Sequence, residues 1–83
     1  MENQTSKPKY IQPIVEALQR LGSGSEDDVL EAVFLIVKGR LYPADLLVLP
    51  NGEPRWRNQA QHMIDGLIED GVIIKKSSLL RLR

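Results

Sequence analysis

The stretch Leu49–Asp70, LPNGEPRWRNQAQHMIDGLIED, decides how the rest of the chain is read. Leu49-Pro50-Asn51-Gly52 is a turn signal, because proline fixes φ while asparagine and glycine tolerate positive φ. Pro54 suits a first helical turn, where its missing N–H has no intrahelical partner to lose. From there Trp56, Ala60, Met63, Ile64, Leu67 and Ile68 recur at spacings of three and four, one apolar stripe of a helix. Gly71 closes that helix as a C′ residue, so the pattern predicts a helix over 54–70.

The opposite face divides into two halves. The first carries Arg55, Arg57, Asn58, Gln59, Gln61 and His62, with no acid among them. The second carries Asp65, Glu69 and Asp70. This order opposes the helix dipole, which favours anions at the N-terminus and cations at the C-terminus. Cationic and amide side chains on the first turns are what a DNA recognition helix presents to base edges and phosphates. The plainer reading is a solvated face on a core helix.

Outward from this helix, the segment after it reads as a hairpin over 72–83. Val72-Ile73-Ile74 is one short strand and Leu80-Arg81-Leu82-Arg83 the other, with Lys75-Lys76-Ser77-Ser78 at the turn. Leu80 and Leu82 face in, Arg81 and Arg83 out, and the charges blunt the hairpin's edge. The segment before it, Leu41–Leu49, breaks at Tyr42-Pro43 and restarts over Pro43–Leu47, with Leu46, Leu47, Val48 and Leu49 expected in the core.

Two more helices precede. Tyr10–Leu21 has the stripe Ile11, Ile14, Val15, Leu18 and Leu21, and Gly22-Ser23-Gly24 stops it. Ser25 caps the next helix, which runs to about Lys38, with Asp28 completing a capping box and Glu26, Asp27 and Asp28 matching the dipole. Its run Ala32–Val37 is apolar on all sides. One side is enough for a small core, so the surplus either packs under the following loop or meets another chain, making Val33–Val37 a candidate homodimer or partner contact. Trp56 is expected to pack against the first helix or Leu46–Leu49. Residues 1–9, polar with Lys7-Pro8-Lys9, read as a flexible N-terminal arm ahead of one domain over 10–83.

Whole-chain numbers bound the function. Eighty-three residues make one domain with a modest core. Eleven basic and eleven acidic residues cancel, which counts against indiscriminate nucleic-acid binding. The distribution is uneven: 10–48 hold six acids and three bases, whereas 72–83 hold Lys75, Lys76, Arg81 and Arg83 with no acid. A basic hairpin beside a basic helix start makes one positive patch on a neutral protein. With no cysteine there is no disulfide framework, thiolate chemistry or cysteine metal site. No apolar run reaches a membrane span, and MENQTSKPKY has no signal-peptide apolar region, so the expectation is a cytoplasmic protein without membrane contact.

Catalysis finds no footing. His62 is the only histidine, with no second histidine, cysteine or nucleophile to make a zinc site or a triad. Gly22–Gly24 lacks a phosphate-loop pattern and follows no strand. The acids Glu26–Asp28 suffice as caps without a metal. No enzyme, cofactor or metal is therefore expected.

Three helices and a small C-terminal β-hairpin, mainly α, are the element order of a winged helix-turn-helix, with the third helix in the major groove and the hairpin as the wing. On this reading Arg55, Arg57, Asn58, Gln61 and His62 face the groove, and Lys75, Lys76 and Arg81 meet phosphates of double-stranded DNA. The alternative is a winged-helix protein-interaction or dimerisation module.

A family resemblance accompanies this pattern. Pro13-Ile14-Val15-Glu16-Ala17-Leu18 followed by Leu21-Gly22, then Leu49-Pro50-Asn51-Gly52, Arg55-Trp56, Asn58, and Leu67 followed by Gly71-Val72-Ile73, together resemble the N-terminal domain of Mrr-type restriction proteins. The resemblance spans roughly Tyr10 to Ile74. It departs at Gln59, where the family usually has a basic residue, and at His62-Met63, where it usually has Trp-Ala. The resemblance implies a winged-helix fold and DNA recognition in a restriction system, with the nuclease on a separate domain.

Overall fold

A computed structural model describes residues 5–83. A 3-10 turn, Lys7–Tyr10, leads into α1, Ile11–Leu21. A two-residue strand β1, Ser23–Gly24, precedes α2, Glu26–Val37. A second 3-10 turn, Pro43–Leu46, precedes α3, Arg55–Glu69, and the chain ends in β2, Ile73–Lys76, and β3, Leu79–Leu82. The strands form one antiparallel sheet in the order β1-β3-β2. The protein is thus mainly helical with a small three-stranded sheet.

Local chemistry explains where the helices begin and end. At α2 the Ser25 hydroxyl accepts from the Asp28 N–H at 3.1 Å, and the Asp28 carboxylate accepts from the Ser25 N–H at 3.3 Å, completing the expected capping box. At the end of α3, Gly71 takes φ of 81°, its N–H donates to the Ile68 carbonyl, and the Val72 N–H donates to the Leu67 carbonyl. These two bonds form a Schellman motif, which needs a residue tolerant of the left-handed region at that position. The turn before α3 closes through the Gly52 N–H donating to the Leu49 carbonyl at 2.9 Å.

The core lies between the three helices and one face of the hairpin. Ile14, Ala17 and Leu18 of α1 meet Val29, Leu30 and Val33 of α2, Ala60, Ile64 and Leu67 of α3, and Ile73 and Leu80 of the hairpin. The α3 stripe is as expected: Trp56, Ala60, Ile64 and Leu67 are buried, and Met63 and Ile68 pack partly against them. On α1 the buried face is turned towards Pro13 and Ala17, which leaves Leu21 exposed. On the hairpin Leu80 is buried, Leu82 half-buried, and Arg81 and Arg83 are exposed.

Four features differ from the expectations. The run Leu46–Val48 is not core: Leu46, Leu47 and Val48 are 52%, 57% and 67% exposed. The 3-10 turn buries Ala44 and Asp45 instead. The chain after it is then held by its backbone, with Val48 bridging to Pro54 and the Arg55 N–H donating to the Leu47 carbonyl at 2.8 Å. Trp56 has a partner on α2 that was not expected, its ring 5.1 Å from that of Phe34. That contact absorbs much of the apolar surplus of α2, since Val33 and Val37 are buried and only Leu35 is largely exposed, at 60%. Ser23–Gly24 does more than stop α1, because it pairs with Arg81 and Leu80 and gives the sheet a third strand. Finally, the strands extend into the expected turn: Lys75 and Lys76 lie in β2, and Ser77 and Ser78 alone reverse the chain at positive φ of 52° and 66°.

Of the segment read as an arm, residues 1–4 lie outside the described residues. From Thr5 the chain is tied down. The Thr5 N–H and hydroxyl donate to the two oxygens of the buried Asp45 carboxylate at 2.8 and 2.7 Å, and the Tyr42 N–H donates to it at 2.9 Å. Three donors satisfy a carboxylate that burial alone would make unfavourable.

Candidate functional site

The first two turns of α3 carry most of the candidate residues, and their placement follows from the helix stripe. With Trp56 and Ala60 buried, Arg57, Asn58 and Gln61 fall on the flanks, half-buried, and His62 is exposed. Each flank residue meets an acid. Arg57 Nη2 donates to Asp27 Oδ1 at 2.6 Å. Gln61 Nε2 donates to Glu26 Oε1. Asn58 Nδ2 approaches Glu53 Oε2 at 3.5 Å. Glu53 is itself fixed by Asn51, whose side-chain oxygen accepts from the Glu53 N–H at 3.0 Å.

Arg55 takes a different course. It is half-buried, and its Nε is enclosed without a hydrogen-bond partner. Its charge acts on the hydroxyl of Tyr10, a fully buried residue whose hydroxyl also lacks a partner. Burial, and then the Asp45 carboxylate nearby, push the Tyr10 hydroxyl from 10.0 up to about 12, with the Thr5 side chain and then the Arg55 charge pulling the other way. Arg55 therefore serves the junction between α3 and the Lys7–Tyr10 turn.

The hairpin candidates are free in a way the α3 residues are not. Lys75, Lys76 and Arg81 are exposed and make no side-chain hydrogen bond or ion pair among the described residues. Lys75 borders a concavity of about 240 Å³ lined also by Ser25, Glu26, Asp27, Ser78 and Leu80. Lys76, Arg81 and Leu79 line another of about 300 Å³ with Ser23 and Ser77. The first turn of α2 thus lies between the polar flank of α3 and the hairpin: Asp27 pairs with Arg57 on one side and shares a cavity with Lys75 on the other.

Sequence reasoning found the cations and amides of this surface but not their partners. Glu26 and Asp27 were legible only as caps, since pairing across thirty or more positions leaves no local periodicity, and Glu53, five positions before Asn58, was not singled out. Among the described residues no group of three or more His, Asp or Glu side chains is disposed to hold a metal ion, and no helix is long and apolar enough to cross a membrane. No family model matches the chain, and no curated protein or solved structure matches it.

Proposed function

We propose that this chain is a winged-helix DNA-binding module, similar to the N-terminal domain of Mrr-type restriction proteins, with α3 in the major groove and the β2–β3 hairpin as the wing. One observation carries the reading. The elements run α1-β1-α2-α3-β2-β3 with the sheet in the order β1-β3-β2, and Lys75 of β2 lies beside the first turn of α2, whose Asp27 and Glu26 meet Arg57 and Gln61 of α3, while Lys76 and Arg81 stand exposed on the other face of the hairpin. A helix whose first turns carry cations against its own dipole gains nothing in stability from that order, and a polyanion gives the order a use. Lys75, Lys76 and Arg81 contact phosphates and position the domain, while Arg57, Asn58, Gln61 and His62 face base edges.

Fluorescence anisotropy against mixed-sequence duplex DNA, at low and near-physiological salt, tests this. Binding weakens steeply with salt, and Lys75→Ala and Lys76→Ala each lower the slope of log K against log salt by about one. A folded protein that binds no duplex at low salt ends the reading.

A second reading, a protein-interaction module, is favoured by the exposure of Leu46–Val48 and Leu35. Large apolar side chains left at the surface suit a partner or a second copy. The expected contact through Val33–Val37 narrows to Leu35, because the rest of that run is wholly or partly buried. Sedimentation equilibrium separates the readings: a concentration-dependent dimer without DNA affinity supports the second, and a strict monomer at high concentration removes its dimeric form.

A further inference from the structure

Glu26 and Asp27 suit the positive end of the α2 dipole, but their placement is odd for a DNA-binding surface. They lie between the two surfaces assigned to DNA and carry the same charge as DNA. Capping does not require them, because Ser25 and Asp28 complete the box. Stability gains little from the Asp27–Arg57 pair, since the Asp27 side chain is 87% exposed and such pairs are screened by water. Beyond that, the two acids occupy Arg57 and Gln61, two of the groups assigned to base edges.

We propose that Glu26 and Asp27 are positioning residues that act as an internal decoy for α3, holding Arg57 and Gln61 in the free protein and lowering its affinity for duplex. The proposal rests on the DNA-binding reading. In the free protein they hold Arg57 and Gln61, and DNA reaches these two only by displacing a carboxylate. A phosphate in place of Asp27 brings Arg57 no new charge and leaves Asp27 unpaired beside a polyanion. Contact between α3 and backbone alone is therefore disfavoured. A base edge offers more than a carboxylate's single bond here: guanine presents two acceptors to an arginine, and adenine an acceptor and a donor to a glutamine. The acids penalise every approach alike, and only a matching base edge outweighs them. The wing, whose cations have no such partners, supplies the sequence-independent part of the attraction.

The test compares the wild type with Asp27→Asn, Glu26→Gln and the control Glu31→Gln on mixed-sequence duplex between 50 and 200 mM salt. Glu31 is an exposed acid of α2 that borders Leu21, Ala32 and Leu35, away from α3, and its variant makes the same change in net charge. Asp27→Asn frees Arg57 to neutralise a phosphate. Since log K falls by about 0.9 per phosphate for each decade of salt, one such contact raises affinity about eightfold at 0.1 M and steepens the slope by about one. Glu26→Gln also tightens binding, and Glu31→Gln changes it by less than twofold. If the wild type binds and Asp27→Asn matches it, or matches Glu31→Gln, the decoy is wrong while DNA binding stands. If no protein in the set binds at low salt, the DNA reading falls and takes the decoy with it. Binding by Asp27→Asn alone upholds both.

Discussion

The starts of α2 and α3 solve the same physical problem in opposite ways. At α2 a serine caps, an aspartate returns the bond, and three acids sit at the positive end of the dipole. At α3 Pro54 offers no side-chain cap, the first turn has no acid, and Arg55 and Arg57 oppose the dipole. The contrast extends to satisfaction of polar groups. The α2 cap leaves its serine and aspartate paired, whereas the α3 start encloses Arg55 Nε, and the Tyr10 hydroxyl near it, without partners. The lesson is that α2 is held by local signals and α3 by packing, chiefly the buried Trp56 on Phe34 and the stripe behind it. Packing leaves the exposed side of α3 at liberty to carry charges that a self-sufficient helix would avoid.

The largest expected effect breaks the packing half of this contrast. Trp56→Ala removes the aromatic joint between α3 and α2 and destabilises by about 3–5 kcal/mol, as large-to-small aromatic changes in cores do. That approaches the whole stability of a domain this size, about 4–12 kcal/mol. Urea titration followed by circular dichroism reads it, and a loss under about 1.5 kcal/mol would mean that α3 stands without Trp56. Next comes the local half. Ser25→Ala removes the α2 cap and lowers stability by about 1 kcal/mol with an unchanged m-value, and no measurable loss would erase the contrast between the two starts.

The smallest effect sharpens the contrast at the unpartnered pair. At neutral pH Tyr10→Phe leaves stability unchanged or slightly higher, because the hydroxyl it removes is buried without a bond. Folding holds the Tyr10 proton more tightly, up to about 12 against 10.0. This contribution is therefore complete below pH 10 and is lost as pH climbs through 12. Wild-type stability falls across that window, and the Tyr10→Phe curve falls less. Parallel curves for the two proteins would show that the phenol does not titrate with unfolding.

Most of the fold was legible because its signals are local. The Ser25–Asp28 box, the Trp56–Leu67 stripe, the Gly71 stop and the inward Leu80 each follow from a handful of adjacent residues. The failures are of one kind. Leu46–Val48 was read from hydrophobicity, but whether an apolar residue is buried depends on what the rest of the chain brings to it, and here the backbone at Pro54 and Arg55 takes the place of a core. β1 is two small residues with no alternation, and only their partners on β3 make them a strand. The site followed the same rule. The cations and amides were visible as a face of a helix, while the carboxylate partners of Arg57 and Gln61 belong to another helix, and tertiary structure alone unites them.

The short pairing of β1 with β3 also sets the order in which this protein becomes itself during synthesis. Ser23 and Gly24 wait for Arg81 and Leu80, well over half the chain later, and Leu80 is fully buried among the helices. Until that last strand has emerged, three helices share a core with one wall missing and the junction between α1 and α2 has no sheet to join. Such contacts between distant residues are slow to form, because chain closure comes before any reward. In the finished sheet the last strand lies between the other two, so β1 and β2 are joined only through it.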